Sequence, residues 1–186
     1  WTPGQRYVTR PEGKWIDDDS PWPTFTLNFR EGVPLTEQSP DFSYLYVSLQ
    51  DRLNWGLLGE SEYRIGAGKY VHKSVLPFMD WTHFNGNLTF LSGFGLSDFM
   101  QLDYYGYSTN SAFWELHAEH HFKGFLLNKL PLIRRLRLNE FISAHHFTLQ
   151  SGASHTEFGL GFEKLNIFRV QLYFVYEERK LQSPGL

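Results

Sequence analysis

Polar and apolar residues alternate with period two over most of this chain, in blocks long enough to define strands. Phe25, Leu27 and Phe29 alternate with Thr26, Asn28 and Arg30. Leu45, Val47, Leu49, Leu53, Trp55 and Leu57 alternate with Tyr46, Ser48, Gln50, Arg52 and Asn54, and Asp51 alone breaks the apolar side. The pattern returns in Tyr63, Ile65 and Ala67 against Glu62, Arg64, Gly66 and Gly68, and again in Trp114, Leu116, Ala118 and Phe122 against Glu115, His117, Glu119 and His121. Phe158, Leu160 and Phe162 then oppose Glu157, Gly159, Gly161 and Glu163; Phe168, Val170, Leu172, Phe174 and Tyr176 oppose Arg169, Gln171 and Tyr173. Successive side chains of a strand point to opposite faces, so each block predicts a strand with one apolar face and one polar face that carries glycine.

A soluble sandwich with its apolar faces inward gives the same alternation. Two features favour a membrane wall instead. The blocks run to about 9–11 residues or more, the length a tilted membrane strand needs, where soluble strands average about 5–6. Large aromatics (Trp55, Tyr70, Phe122, Phe168 and Tyr176) fall at block ends, as in an interfacial girdle. The expected fold is therefore all-β: a stretch of an antiparallel transmembrane β-barrel, residues 1–186 as one domain, with about seven or eight strands. Short turns are expected near Leu57–Glu60 and Leu165–Phe168, and one long lumen-directed loop over about 70–110. Pro3–Gly4–Gln5 and Ser183–Pro184–Gly185–Leu186 read as interrupted hairpins, so further strands are expected to close the barrel unless the two ends pair with each other.

Composition sharpens this picture in places. Aromatics reach 18%, with 17 Phe, 10 Tyr and 6 Trp, which suits girdled membrane strands. The mean hydropathy of −0.38 does not argue otherwise, because lumen residues offset lipid-facing ones. A net charge of −3 gives no basic field for nucleic acid. Cysteine is absent, which removes disulfides, thiolate zinc sites and cysteine nucleophiles. No run approaches the roughly 20 apolar residues of a membrane helix.

Glu115, His117, Glu119 and His121 share the polar face of one block and form the candidate lumen face. Imidazoles and carboxylates are ligands for zinc or iron, but strand spacing lets one ion meet only two of them without help from His145 or His146. The plainer reading is a hydrated lumen wall, and no metal or cofactor is expected. Glu115 and Glu119 are also candidates to anchor the long loop, through His83 or the backbone N–H groups around Gly86. Asp17–Asp18–Asp19 with Asp103 offers oxygen ligands for calcium, against the plainer reading of a solvated loop. No enzymatic activity is expected: nucleophile-elbow, zincin and P-loop motifs are absent, and Ser143 with His145 and His146 is the one local set for a lipase-like pair. Gly124–Leu138 carries Lys129, Arg134, Arg135 and Arg137 among apolar residues. It reads as a strand connection with basic side chains snorkelling at the interface, or as a short interfacial helix interrupted by Pro131.

Several of these residues together are distinctive. Ser108–Thr109–Asn110, Phe113, Glu115, Glu119–His120–His121–Phe122, Gly124–Phe125–Leu126–Leu127–Asn128–Lys129 and Pro131–Leu132 resemble a Bacteroidota family. Pro3–Gly4–Gln5, Pro23–Thr24–Phe25, Gly56–Leu57–Leu58–Gly59, Tyr63–Arg64, Ala67–Gly68–Lys69 and His83–Phe84–Asn85–Gly86–Asn87 extend the resemblance over nearly the whole chain. Members of that family carry an N-terminal carboxypeptidase-regulatory-like domain before an outer-membrane barrel of unassigned function. The barrel in turn resembles the BamA/TamA class of assembly and secretion barrels, in which a long loop carrying an Arg-Gly motif folds into the lumen. Here the corresponding motif is His83–Phe84–Asn85–Gly86–Asn87, which keeps an aromatic and a glycine but has no arginine. The resemblance implies that residues 1–186 are the C-terminal part of the barrel. It also implies a place in the outer membrane of a Gram-negative, Bacteroidota-like bacterium and a role in envelope protein assembly, insertion or export, or as a subunit of an outer-membrane complex. The alternatives are a passive channel or substrate-uptake barrel, then a lumen metal site or surface lipase. The implied partners are outer-membrane lipids, the rest of the same barrel and other outer-membrane or periplasmic subunits.

Overall fold

A computed structural model describes residues 1–3, 6–17, 22–36, 38–87, 95–125, 127–129, 131, 133–164 and 168–178. Nine strands run in chain order: β1 (Arg6–Arg10), β2 (Gly13–Asp17), β3 (Thr24–Gly32), β4 (Asp41–Asn54), β5 (Glu60–Val75), β6 (Phe113–His121), β7 (Asn139–Leu149), β8 (Ser154–Lys164) and β9 (Phe168–Glu178). The first two form a separate hairpin; the other seven make one antiparallel sheet in which each strand pairs with its neighbour in sequence. The described residues contain no α-helix, only short 3-10 turns. The fold is thus all-β, with a seven-stranded sheet as its body.

Long runs without an internal breaker explain the strand lengths. β4 spans 14 residues and β5 spans 16, well beyond the usual strand of about 5–6. Trp55–Gly59 joins them, and Gly59 shows why that turn ends as it does. Its φ of 107° is open to glycine, and a Cβ there would run into the His121 backbone of β6. At the other end of the sheet β5 runs on to Val75, so the long connection covers residues 76–112 rather than beginning at Tyr70.

Registers place each strand's polar residues in line across the sheet. One row reads Gln50, Arg64, His117, His145 and Glu157; the row beside it reads Ser48, Gly66, Glu115, Phe147 and His155. The opposite face carries Leu49, Ile65, Leu116 and His146 in one row, and Phe158 beside Phe174 and Leu160 beside Leu172 further along. Described stretches of the connection, around 82–87 and 97–109, lie over the first of these faces. The buried apolar cluster sits between the two: Phe84, Phe99, Leu102 and Tyr107 from the connection meet Phe42, Tyr44, Tyr70, Phe113, Phe147 and Leu149 from the sheet.

The other face is exposed and greasy. Phe25, Leu27, Phe29, Val47, Ile65, Trp114, Ile142, Phe158, Leu160, Leu172 and Phe174 are all exposed, Leu172 by 64%. Tyr70 departs from its expected place in a girdle: it points to the loop-covered face, is buried, and donates to the Asp80 carbonyl at 2.7 Å. Parity within β5 puts Tyr70 with Gly66 and Gly68, away from Ile65.

Candidate functional site

The loop-covered face holds most of the molecule's organised polar chemistry. Two stretches of the connection, around 82–87 and 98–109, lie side by side on it. Thr82 and Thr109 exchange backbone bonds, the Phe99 N–H donates to the Asn85 carbonyl at 2.8 Å, and the Asn87 N–H donates to Leu102 at 3.0 Å. Gly86 fits this pairing because its backbone lies against the Leu102 carbonyl, where a Cβ would collide. The predicted loop motif therefore organises the connection itself. His83 bonds the Ser108 hydroxyl at 2.8 Å through Nδ1 and the Phe78 carbonyl at 3.1 Å through Nε2.

Phe84 and Phe99 fasten this unit to the sheet. Phe84 stacks on Phe147 at 4.1 Å between centroids and 7° between planes; Phe99 meets the edges of Phe147, His117 and His155. Such pairs each add about 0.5–1.5 kcal/mol to the burial of their rings.

The carboxylate that takes hold of the connection is Glu157 of β8. Its two oxygens accept the Met100 and Gln101 backbone N–H groups at 2.8 Å each, and the side chain is fully buried. His155 bonds the same carboxylate through Nε2 at 2.8 Å and Glu177 through Nδ1 at 2.9 Å. Two charge-assisted backbone bonds on one carboxylate make a compact clamp. A second attachment comes from Arg64, which donates to the Ser97 hydroxyl at 2.6 Å and to Tyr46 at 3.0 Å.

Glu115 and Glu119, the expected anchors, do other work. Glu115 accepts from the Tyr46 hydroxyl at 2.6 Å, and so supports Arg64 at one remove. Glu119 pairs with Arg169 and His121, both at 2.5 Å, and His121 reaches Glu163 at 3.2 Å. The loop anchor lies two strands further along, on β8. The same alternation that marked Glu115 and Glu119 also marked Glu157, but which acid of the polar face the connection meets depends on where it crosses the sheet.

Below the connection, toward the Trp55–Gly59 end, lies an open cavity of about 630 Å³ lined by Arg52, Glu60, Glu62, Glu119, His121, Lys123, Glu163 and Arg169. Its charges are matched internally: Arg52 with Glu62 at 3.4 Å, Lys123 with Glu60 at 2.6 Å, Arg169 with Glu119.

The candidate metal ligands are separated by these pairings. His117 and His145 meet through their Nδ1 atoms at 3.0 Å, His121 is taken up by two carboxylates, and His146 lies on the other face between Thr148 and Thr156. Among the described residues no group of three or more His, Asp or Glu side chains is placed to hold a metal ion. The lipase-like set is likewise split: Ser143 and His145 face the connection, His146 faces away, and the Ser143 hydroxyl accepts from Gln171 at 2.6 Å. Asp103 is exposed on the connection, and Asp18 and Asp19 lie outside the described residues.

Gly124–Leu138 lies in the connection between β6 and β7, as expected, and its described residues do not form one continuous helix. It contains two 3-10 turns, Leu127–Lys129 and Ile133–Leu136, and Glu140 at the start of β7 accepts the Leu127 N–H at 3.2 Å. Lys129 lies over the Phe125 ring at 3.9 Å, and Arg134, Arg135 and Arg137 are exposed.

With this geometry in hand, comparison with known families is decisive on one point. A model described as the C-terminal domain of a family of unknown function, DUF5686, matches residues 1–162. The chain belongs to that family. No curated protein matches it, and no solved structure does. The family match spans the connection, the Glu157 clamp and the basic segment, and stops before β9.

Proposed function

We propose that this chain is a wall segment of an antiparallel transmembrane β-barrel in the outer membrane of a Gram-negative, Bacteroidota-like bacterium. In this reading the face under the connection is the lumen, the connection is a plug held inside it, and the barrel serves envelope protein assembly, insertion or export, alone or within a larger outer-membrane complex.

One observation carries the proposal: the sheet is inverted relative to a water-soluble protein. Phe158 is 54% exposed while its chain neighbour Glu157 is fully buried, and the same inversion repeats along β4 to β9. Soluble monomers rarely expose contiguous apolar patches beyond a few hundred Å². In hydrocarbon the same patch is the stable arrangement, and the polar groups gain from facing inward. The remaining strands of the barrel are its nearest partners, because the outer edges of β3 and β9 need pairing in lipid. Outer-membrane lipids surround the other face. The resemblance to BamA/TamA-type barrels supports the assembly role, as does a plug fixed by aromatic packing and a carboxylate clamp.

Residues 1–186 contain no cysteine, so single cysteines in the full-length protein give a clean test. Cysteines at Leu160 and Leu172 are expected to be reached by a lipid-phase maleimide in outer-membrane vesicles, while cysteines at Ser143 and Gln171 are not. Equal labelling of both sets would end the membrane reading. For the role itself, depletion of the full-length protein should lower the folded yield of other outer-membrane proteins. Normal assembly on depletion, together with conductance that jumps when residues 76–112 are removed, would transfer the proposal to a plugged channel.

A further inference from the structure

The β6–β7 connection lies at the end of the sheet opposite the long connection, beside the Trp55–Gly59 turn. In barrels of the proposed kind, that is the end at which the outward apolar band gives way to headgroups. Five cations occupy it without an intervening acid: Lys123, Lys129, Arg134, Arg135 and Arg137 lie between Glu119 and Glu140. The first two are occupied, Lys123 by Glu60 at 2.6 Å and Lys129 by the Phe125 ring. The three arginines are exposed and form no ion pair with any described residue. Glu140, the nearest acid in sequence, is buried and holds the Leu127 N–H.

Apolar side chains are exposed at the same end of the sheet as these arginines. Leu136 is exposed on the same 3-10 turn, and Trp55, Leu57 and Leu58 are exposed on the neighbouring turn, Leu57 by 91%. That neighbouring turn is held in place rather than loose. The Trp55 indole N–H donates to Ser61 at 2.9 Å, Ser61 meets His120 Nδ1 at 2.8 Å, and His120 Nε2 meets the Leu58 carbonyl at 3.1 Å.

We infer that Arg134, Arg135 and Arg137, with Leu136 on their own turn and Leu57 and Leu58 exposed at the same end of the sheet, form a docking site for the phosphate headgroup of an anionic phospholipid. The inference rests on the membrane reading above and adds a specific lipid to it. Guanidinium forks match phosphate oxygens in pairs, and exposed arginines at a sheet end that also exposes leucines and an indole suit the level where phosphates meet acyl chains. An acidic protein surface would satisfy the charges but leave Leu57 in water, so lipid is the occupant that accounts for both.

The test uses the full-length protein in phosphatidylcholine vesicles, with and without an equal part of phosphatidylglycerol. Lipids retained on the released protein are counted by native mass spectrometry. The parent should retain phosphatidylglycerol preferentially, and less so as salt screens the contact. The triple variant R134Q/R135Q/R137Q should retain roughly fivefold less or lower still, while R134K/R135K/R137K should keep most of it. A triple glutamine variant that shows the parent's heat-modifiable band and the parent's phosphatidylglycerol count would overturn the docking site while leaving the barrel standing. Failure of the parent to enter either vesicle would overturn both.

Discussion

Glu157 and Phe158 are adjacent in the chain and lie in opposite worlds. The carboxylate is buried against two backbone N–H groups and a histidine; the ring beside it is exposed. The contrast extends over whole faces. On one, polar groups hold a folded connection in place through specific bonds. On the other, phenylalanine and leucine stand exposed in rows, with none of the described residues packed over them. The two faces therefore have different dependences. The polar face needs particular partners, so single changes there should act locally on the connection. In the proposed membrane setting the apolar face needs only a hydrocarbon surrounding, so single changes there should act on the whole sheet.

The largest effect is expected where the polar face is least polar. Phe99 is almost wholly buried among Phe84, Phe147, His117 and His155. Phe99→Ala should cost about 3–5 kcal/mol of connection stability. In hydrogen exchange on the folded full-length protein, the Asn87 amide should then lose its protection while β7 and β8 amides keep theirs. Unchanged exchange at Asn87 would show that the connection is held by something other than this aromatic cluster. Next comes Leu172→Arg on the opposite face. At mid-strand in a bilayer it should destabilise the folded barrel by about 2–4 kcal/mol. It would be near neutral if Leu172 faced water, so a denaturant titration in detergent-free vesicles separates the two surroundings.

How much of this contrast is legible in sequence depends on whether a strand has one apolar side or two. In residues 45–50 of β4, 62–68 of β5, 114–121 of β6, all of β8 and 168–174 of β9, alternation assigns the faces as the structure has them, while Phe42, Tyr44 and Phe113 lie under the connection on the otherwise polar parity. β7 defeats that reading. Phe141, Phe147 and Leu149 point toward the connection while Ile142 points away, so apolar residues occupy both parities and the period-two signal vanishes. The reason is the connection itself: a strand that floors it needs aromatic packing on its polar side. Tyr70 fails for the same reason, since an aromatic at a strand end reads as a girdle unless the loop that buries it is known. The clamp was half legible. His155 and Glu157 repeat the His-x-Glu spacing of His117 and Glu119, which marks them as groups of the same polar face, but the crossing point of a long connection is a tertiary fact.

The clamp supplies the third test. Glu157→Gln leaves one amide oxygen where a carboxylate met two N–H groups, and hydrogen bonds to charged groups are worth about 1.5–3 kcal/mol. Protease should then cut near Met100 and Gln101 while the strands of the folded barrel stay intact. A variant as resistant as the parent would mean that Phe84 and Phe99 hold the connection unaided.

The smallest effect separates the clamp from charge pairing in general. Arg52 and Glu62 also form an ion pair on the polar face, at 3.4 Å, but their side chains are 62% and 27% exposed. Water competes for both groups and ordering two long side chains costs entropy, so such pairs contribute about 0–1 kcal/mol. Arg52→Gln should therefore change neither proteolysis at Met100 nor the unfolding midpoint beyond a few tenths of a kcal/mol. A loss as large as that of Glu157→Gln would imply that Arg52 is screened from water in the assembled protein, with further strands or a partner subunit laid over the cavity that it lines.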